Sequence, residues 1–131
     1  MEQEEDPQAK MKEMAKVRGY ASEWWEIVLK MDPELVETYN RLAALALLHE
    51  GAPTEGKALP AKYRELVAIA ILAFRGNEGG VENHMRRALR MGATKEEVFE
   101  AVEAMFPPGG TPTVSLGMRA LTRILKEQGQ M

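Results

Sequence analysis

LPAKYRELVAIAILAFRGNEGGVENHMRRALRMGATKEEVFEAV, Leu59 to Val102, decides the fold class. Apolar and polar residues do not alternate in it as they would along a half-buried strand. Its apolar residues instead recur at helical spacing between punctuation marks. Pro60 opens a helix expected to run to about Arg75, where Gly76 stops it. The apolar residues of this helix are not confined to one stripe, which predicts burial on most sides. A second helix is expected from about Gly80 to Met91, ended by Gly92. Thr94-Lys95-Glu96-Glu97 then forms a capping box: the threonine hydroxyl and the glutamate three residues on satisfy each other's orphan amides. The helix that follows should carry Val98, Phe99, Val102, Met105 and Phe106 toward the core.

The pattern continues outward on both sides. FPPGGTP, Phe106 to Pro112, reads as a rigid turn, with Thr111-Pro112 starting a last helix through Val114, Leu116, Met118, Leu121, Ile124 and Leu125. Upstream lies one long connection, HEGAPTEGKALP, His49 to Pro60. Before it, Asp32-Pro33 marks a helix start, since aspartate caps free amides and proline suits the first helical position. That helix should end near Leu48, with His49 bonding its last carbonyls. Met11 to about Lys30 is also helical, broken near Gly19, and its Trp24-Trp25 pair suits a core or subunit anchor. Residues 1–10 are expected to form a mobile charged tail, and residues 11–131 a single domain. The fold class is therefore all-α, a helical bundle whose short loops favour antiparallel neighbours.

Composition narrows the function. The 131 residues carry a formal net charge of -3, with cations dispersed among anions. A nucleic-acid surface needs a basic excess, and no lysine-rich block suits an anionic membrane. The chain contains no cysteine, which removes disulfides, thiolate metal sites and thiol catalysis. The longest apolar run, Leu66 to Phe74, is well short of the ~20 residues of a membrane span. The acidic N-terminus lacks a signal-peptide core, so a cytoplasmic location is expected. Sparse amides, with glutamine confined to the two ends of the chain, suit a heat-adapted source.

Two side chains draw attention. Glu65 is a carboxylate at the start of an otherwise apolar helix. It can favour the helix dipole, pair with an arginine, or exchange a proton with an imidazole. His84 shares a helix side with Val81, Met85 and Ala88 and so points inward, with Arg87 three residues on. It is either a hydrogen-bonded core residue or an acid/base group. Gly79-Gly80 reads as a plain turn at a helix start. Nothing in the spacing of His49 and His84 asks for a metal.

LPAKYRELVAIAIL, FRGNEGGVENHMRRALRMGATKEEVFEAV, the Gly-Gly-Thr-Pro turn and the final helix, taken in order, resemble the carboxymuconolactone decarboxylase family, which includes the AhpD-like alkylhydroperoxidases. The match runs from about Leu59 to Leu125. The resemblance implies an AhpD-like helical bundle assembled as a homo-oligomer, a trimer or hexamer, with sites near subunit contacts. In the peroxidase branch a glutamate, a Cys-x-x-Cys pair and a histidine do the chemistry. These fall here on Glu65, on Asn77 and Gly80, and on His84. Without sulfur a thiol peroxidase fails at its first step. The decarboxylase branch dispenses with the cysteines and keeps the histidine.

The resemblance thus implies cofactor-free decarboxylation of a small carboxylated lactone or related acid. His84 would be the acid/base, oriented by Glu65, with no metal. Asn77, Glu78 and Arg87 are expected to line the approach, Arg87 on spacing alone. The alternative is a cysteine-free relative of the peroxidases that binds a small molecule or serves as a structural oligomer.

Overall fold

The computed structural model describes residues 6–18 and 22–131, and all its regular structure is helical. Seven helices follow in order: α1 Pro7–Arg18, α2 Trp25–Met31, α3 Pro33–Leu47, α4 Ala61–Phe74, α5 Glu78–Arg90, α6 Lys95–Glu103 and α7 Phe106–Glu127. Among the described residues no helix is long and apolar enough to cross a membrane. The domain expected over residues 11–131 is divided by its own contacts into two compact units, one ending at Lys57 and the other spanning Ala58–Met131. The division falls in the long connection, whose glycines, prolines and polar residues bury little.

The first unit holds α1 to α3. Part of the tail expected over residues 1–10 is helical, because Asp6 and Pro7 repeat the start signal of Asp32 and Pro33. The Asp6 carboxylate accepts from Gln8 N at 3.2 Å, as Asp32 does from Leu35 N at 3.2 Å. The remainder of that tail, residues 1–5, and the expected break at Gly19 lie outside the described residues. Met14, Trp25, Leu29 and Val36 form a small core. Trp24 stacks on Trp25 at 4.3 Å between ring centroids, yet only Trp25 is buried. α3 ends on Leu48 in the left-handed conformation, φ 53°. The carbonyl of Ala44 is met by the backbone amide of His49 at 2.9 Å, while the His49 side chain is buried.

The second unit packs α4 to α7 around a core that includes Ile69, Ala73, Val81, Met85, Val98, Val102, Ala120 and Ile124. Gly76 takes φ +76° immediately after α4, a conformation that costs a side-chain-bearing residue dearly. The capping box of α6 is complete: Glu97 N donates to Thr94 Oγ1 at 3.0 Å and Thr94 N to Glu97 Oε1 at 2.9 Å. Gly110 interrupts α7 with a non-helical backbone, so the regular helix follows it, near the expected Thr111-Pro112 start. Gly117 lets α6 and α7 approach closely, since a Cβ there would lie 2.8 Å from Val102 Cγ1.

Two packing expectations are corrected. α4 is not buried on most sides: it buries Glu65, Ile69 and Ala73, while Tyr63, Val67, Ile71 and Phe74 are exposed. Its partners α5, α6 and α7 cover one side, and composition alone cannot show which residues of an all-apolar helix that side will take. On and after α6, Val98, Val102 and Met105 are buried but Phe99 and Phe106 are half exposed. Each phenylalanine directly follows a buried residue, and one step turns a helix by about 100°.

Candidate active site

Glu65, Ile69 and Ala73 recur at every fourth position, so the face of α4 that enters the core carries a carboxylate in its second turn. Glu65 is fully buried. Removing an ionised carboxylate from water costs several kcal/mol unless partners replace the lost hydration. Both oxygens have such partners, and both partners come from α5. Oε2 lies 2.6 Å from His84 Nδ1, and Oε1 accepts from Arg87 Nε at 2.6 Å. Residues three apart on a helix project side by side, so His84 and Arg87 can grip the two oxygens of one carboxylate together.

Arg87 is itself buried and points its guanidinium at the carboxylate. Where the carboxylate accepts from His84, Nδ1 carries the hydrogen, and in the neutral ring the lone pair then sits on Nε2. The imidazole is thereby fixed in one tautomer and one orientation, as a carboxylate does for a general acid or base. His84 keeps 14% of its side-chain surface accessible whereas Glu65 keeps none. The His84 side chain is thus partly open where the carboxylate behind it is sealed.

The remaining expected site residues lie at the start of α5. Asn77 is its N-cap, accepting from Gly80 N at 2.9 Å. This closeness shapes position 80: a Cβ there would stand 2.9 Å from Asn77 Nδ2. Glu78 accepts from Arg119 Nε at 3.2 Å and Arg123 Nη2 at 3.1 Å. Hydrogen bonds from Arg123 and then Arg119 hold its carboxyl below the ordinary carboxylate range. Glu82, one turn on, is lowered chiefly by Arg86 and also by Arg123. The structure thus gathers Glu65, His84 and Arg87, and places Asn77 and Glu78 among other partners. Arg87, expected to line the approach, turns its Nε to Glu65. Sequence reasoning missed Arg119 and Arg123, whose signal was the four-residue spacing of Ser115, Arg119 and Arg123 on one face of α7. Among the described residues no three His, Cys, Asp or Glu side chains stand together to hold a metal ion.

Comparison with known proteins agrees with this architecture. The sequence profile of the carboxymuconolactone decarboxylase family matches residues 33–123. An uncharacterized protein of Methanocaldococcus jannaschii is 27% identical over 103 residues, 79% of this chain and 90% of its own. An uncharacterized protein of Cupriavidus necator is 34% identical over 70 residues, 53% of this chain and 62% of its own. The crystal structure of a Burkholderia xenovorans protein named for carboxymuconolactone decarboxylase is similar with TM-score 0.74 and 21% identity, covering 97% of each chain. A Legionella pneumophila protein of the same family, solved in its apo form, gives TM-score 0.66 and 23% identity over 95% of this chain and 97% of that one. At these identities the structural likeness is one of fold.

Proposed function

The chain belongs to the carboxymuconolactone decarboxylase family, and from that premise we propose that it is a cytoplasmic, cofactor-free decarboxylase of a small carboxylated lactone or related acid, with His84 as its proton donor. The observation that carries this reading is the carboxylate of Glu65 divided between His84 Nδ1 and Arg87 Nε in a chain without cysteine.

The chemistry balances without further reagents. The bond between the substrate's ring carbon and its carboxylate breaks, carbon dioxide leaves, and the electron pair passes into the ring's unsaturation. Doubly protonated His84 delivers its Nε2 proton to a ring carbon, then recovers one from water. Glu65 accepts from Nδ1 throughout and offsets the charge of the imidazolium. Arg87 is a positioning residue here: it holds Glu65 rather than the departing carboxylate. A strong cationic clamp on that carboxylate would stabilise the ground state more than the transition state. Asn77 and Glu78 border the approach to the imidazole in this reading.

His84→Ala should lower turnover of carboxymuconolactone by about 10²-fold or more, the usual scale for a general acid. Unchanged turnover in a folded variant would remove His84 from the reaction.

A second reading draws on the exposed apolar residues of α4, Tyr63, Val67, Ile71 and Phe74. They recur every three or four residues, so they form one stripe, and such a stripe suits a second copy of the chain. A homo-oligomer, trimer or hexamer, would then be the protein's form. A purely structural oligomer, or a small-molecule binder related to the peroxidases but lacking their sulfur, would show the assembly without turnover. Light-scattering mass of the wild type and of Val67→Glu/Ile71→Glu tests this. A monomeric wild type removes the assembly, and an equally large variant removes α4 as its interface.

A further inference from the structure

The first unit exposes apolar surface that its own small core does not use. α3 turns Val36 into that core, while Leu35, Tyr39, Leu42 and Leu45 are between 41% and 62% exposed. Leu35, Tyr39, Leu42 and the exposed Ala46 follow at spacings of four, three and four. That is the repeat of a seam that packs along another helix. The ring of Tyr39 lies 5.1 Å from that of Trp25, on which Trp24 stacks at 4.3 Å. The exposed indole of Trp24 therefore extends the seam to the start of α2.

Area argues for a partner of protein size. At about 200 Å² for a large side chain, five such residues near half exposure leave about 500 Å² open, in the upper part of the range for a monomer. With a polar rim such a face reaches the ~800 Å² per partner of a stable complex. Trp24, Tyr39 and Arg41 are also of the residue types that carry most binding energy at protein interfaces.

Charge selects which protein. Glu37 of α3 is taken by Lys10 at 2.7 Å. Glu34 and Arg41 are both exposed, and a separation of seven residues sets them on one flank of the seam. Two copies of α3 crossing antiparallel about Tyr39 bring Leu35 of each against Leu42 of the other, and Glu34 of each near Arg41 of the other. The match is made twice, as a two-fold contact requires. A parallel pair would set Glu34 level with Glu34 and Arg41 level with Arg41.

We propose that α3, with Trp24, is a two-fold self-association face on which a second copy of the chain lays its own α3 antiparallel. The face is distinct from the stripe on α4 and independent of any activity at Glu65 and His84.

Light-scattering mass over a range of protein concentrations tests it on the full chain. The wild type should assemble in an even number of copies. Leu42→Glu, a charge placed in the seam, should weaken the association by about a hundredfold or more. Val67→Glu/Ile71→Glu, which alters only α4, should retain a dimer. At low salt Glu34→Arg and Arg41→Glu should each weaken the pair by about fivefold, the scale of an exposed ion pair, and Glu34→Arg/Arg41→Glu should regain the wild-type strength. These two reversals lie at exposed positions, so they test the face even where Leu42→Glu does not fold. A monomeric wild type overturns the proposal, as does an unchanged mass in folded Leu42→Glu. A fall in melting temperature with unchanged mass would show that the chain itself covers the seam, and overturns it too. Failure of the double reversal to regain strength overturns the antiparallel pairing.

Discussion

α5 carries two ionic clusters on different sides, and they obey different physics. Inward, His84 and Arg87 close on Glu65, with Arg87 and Glu65 both inaccessible. Outward, Glu78 and Glu82 meet Arg86, Arg119 and Arg123, where water and salt compete for every contact. Buried, an ion pair is costly to form and more costly to break. At the surface a pair is cheap to form and nearly free to lose. One helix can therefore tie its chemistry to its fold on one side while leaving the other side adjustable.

The sharpest way to break this contrast is to remove one inner partner. Arg87→Met should cost about 3–5 kcal/mol in urea unfolding, because Glu65 Oε1 would be left buried without its cation. A loss below about 1 kcal/mol, the scale of a surface pair, would place the inner cluster in the same class as the outer one. The double replacement Glu65→Leu/Arg87→Met removes the buried charges together and should restore most of that loss. Its turnover, by contrast, should stay low, since nothing then orients His84. Recovery of stability without recovery of turnover separates the two roles of the carboxylate.

The outer cluster should respond weakly and in a way salt can erase. Glu82→Gln should cost no more than about 1 kcal/mol at low salt, discounted for its solvent exposure, and nearly nothing in 1 M salt. A salt-insensitive loss would mean that Glu82 is less open to solvent than its surroundings show. Smallest is the effect on the acid limb. Arginine partners hold Glu78 and Glu82 below the ordinary carboxylate value of 4.5. Their stabilisation is present in full above that value and lost as pH falls through the lowered one, so the unfolded state takes up protons first. Melting temperature in the wild type should fall below pH 4.5 more steeply than in Glu82→Gln. Identical acid limbs would show that other carboxylates govern acid unfolding.

How much of this was legible in the sequence follows from where the signals lie. Local signals read cleanly: Asp32-Pro33 and the Thr94–Glu97 box each form the predicted cap, because a cap is decided within four residues. The same Asp-Pro signal at Asp6 and Pro7 was hidden behind an acidic end that looked like a tail. Burial was less legible. The exposure of Val67, Ile71 and Phe99 depends on where neighbouring helices lie, and composition does not encode that. At the site, helical spacing put Arg87 beside His84, and the family resemblance paired Glu65 with His84. Neither said that Arg87 would turn to Glu65, which required knowing that α4 packs directly over α5.

The contact between Gly80 and Asn77 bears on how such a chain could exchange one chemistry for another over time. These are the two positions where peroxidase relatives are expected to carry sulfur. A side chain at position 80 would come within 2.9 Å of the Asn77 amide and push it aside, loosening a cap of a kind that contributes about 0.5–2 kcal/mol. The two positions are thus coupled: what position 80 accepts depends on which residue caps the helix at 77.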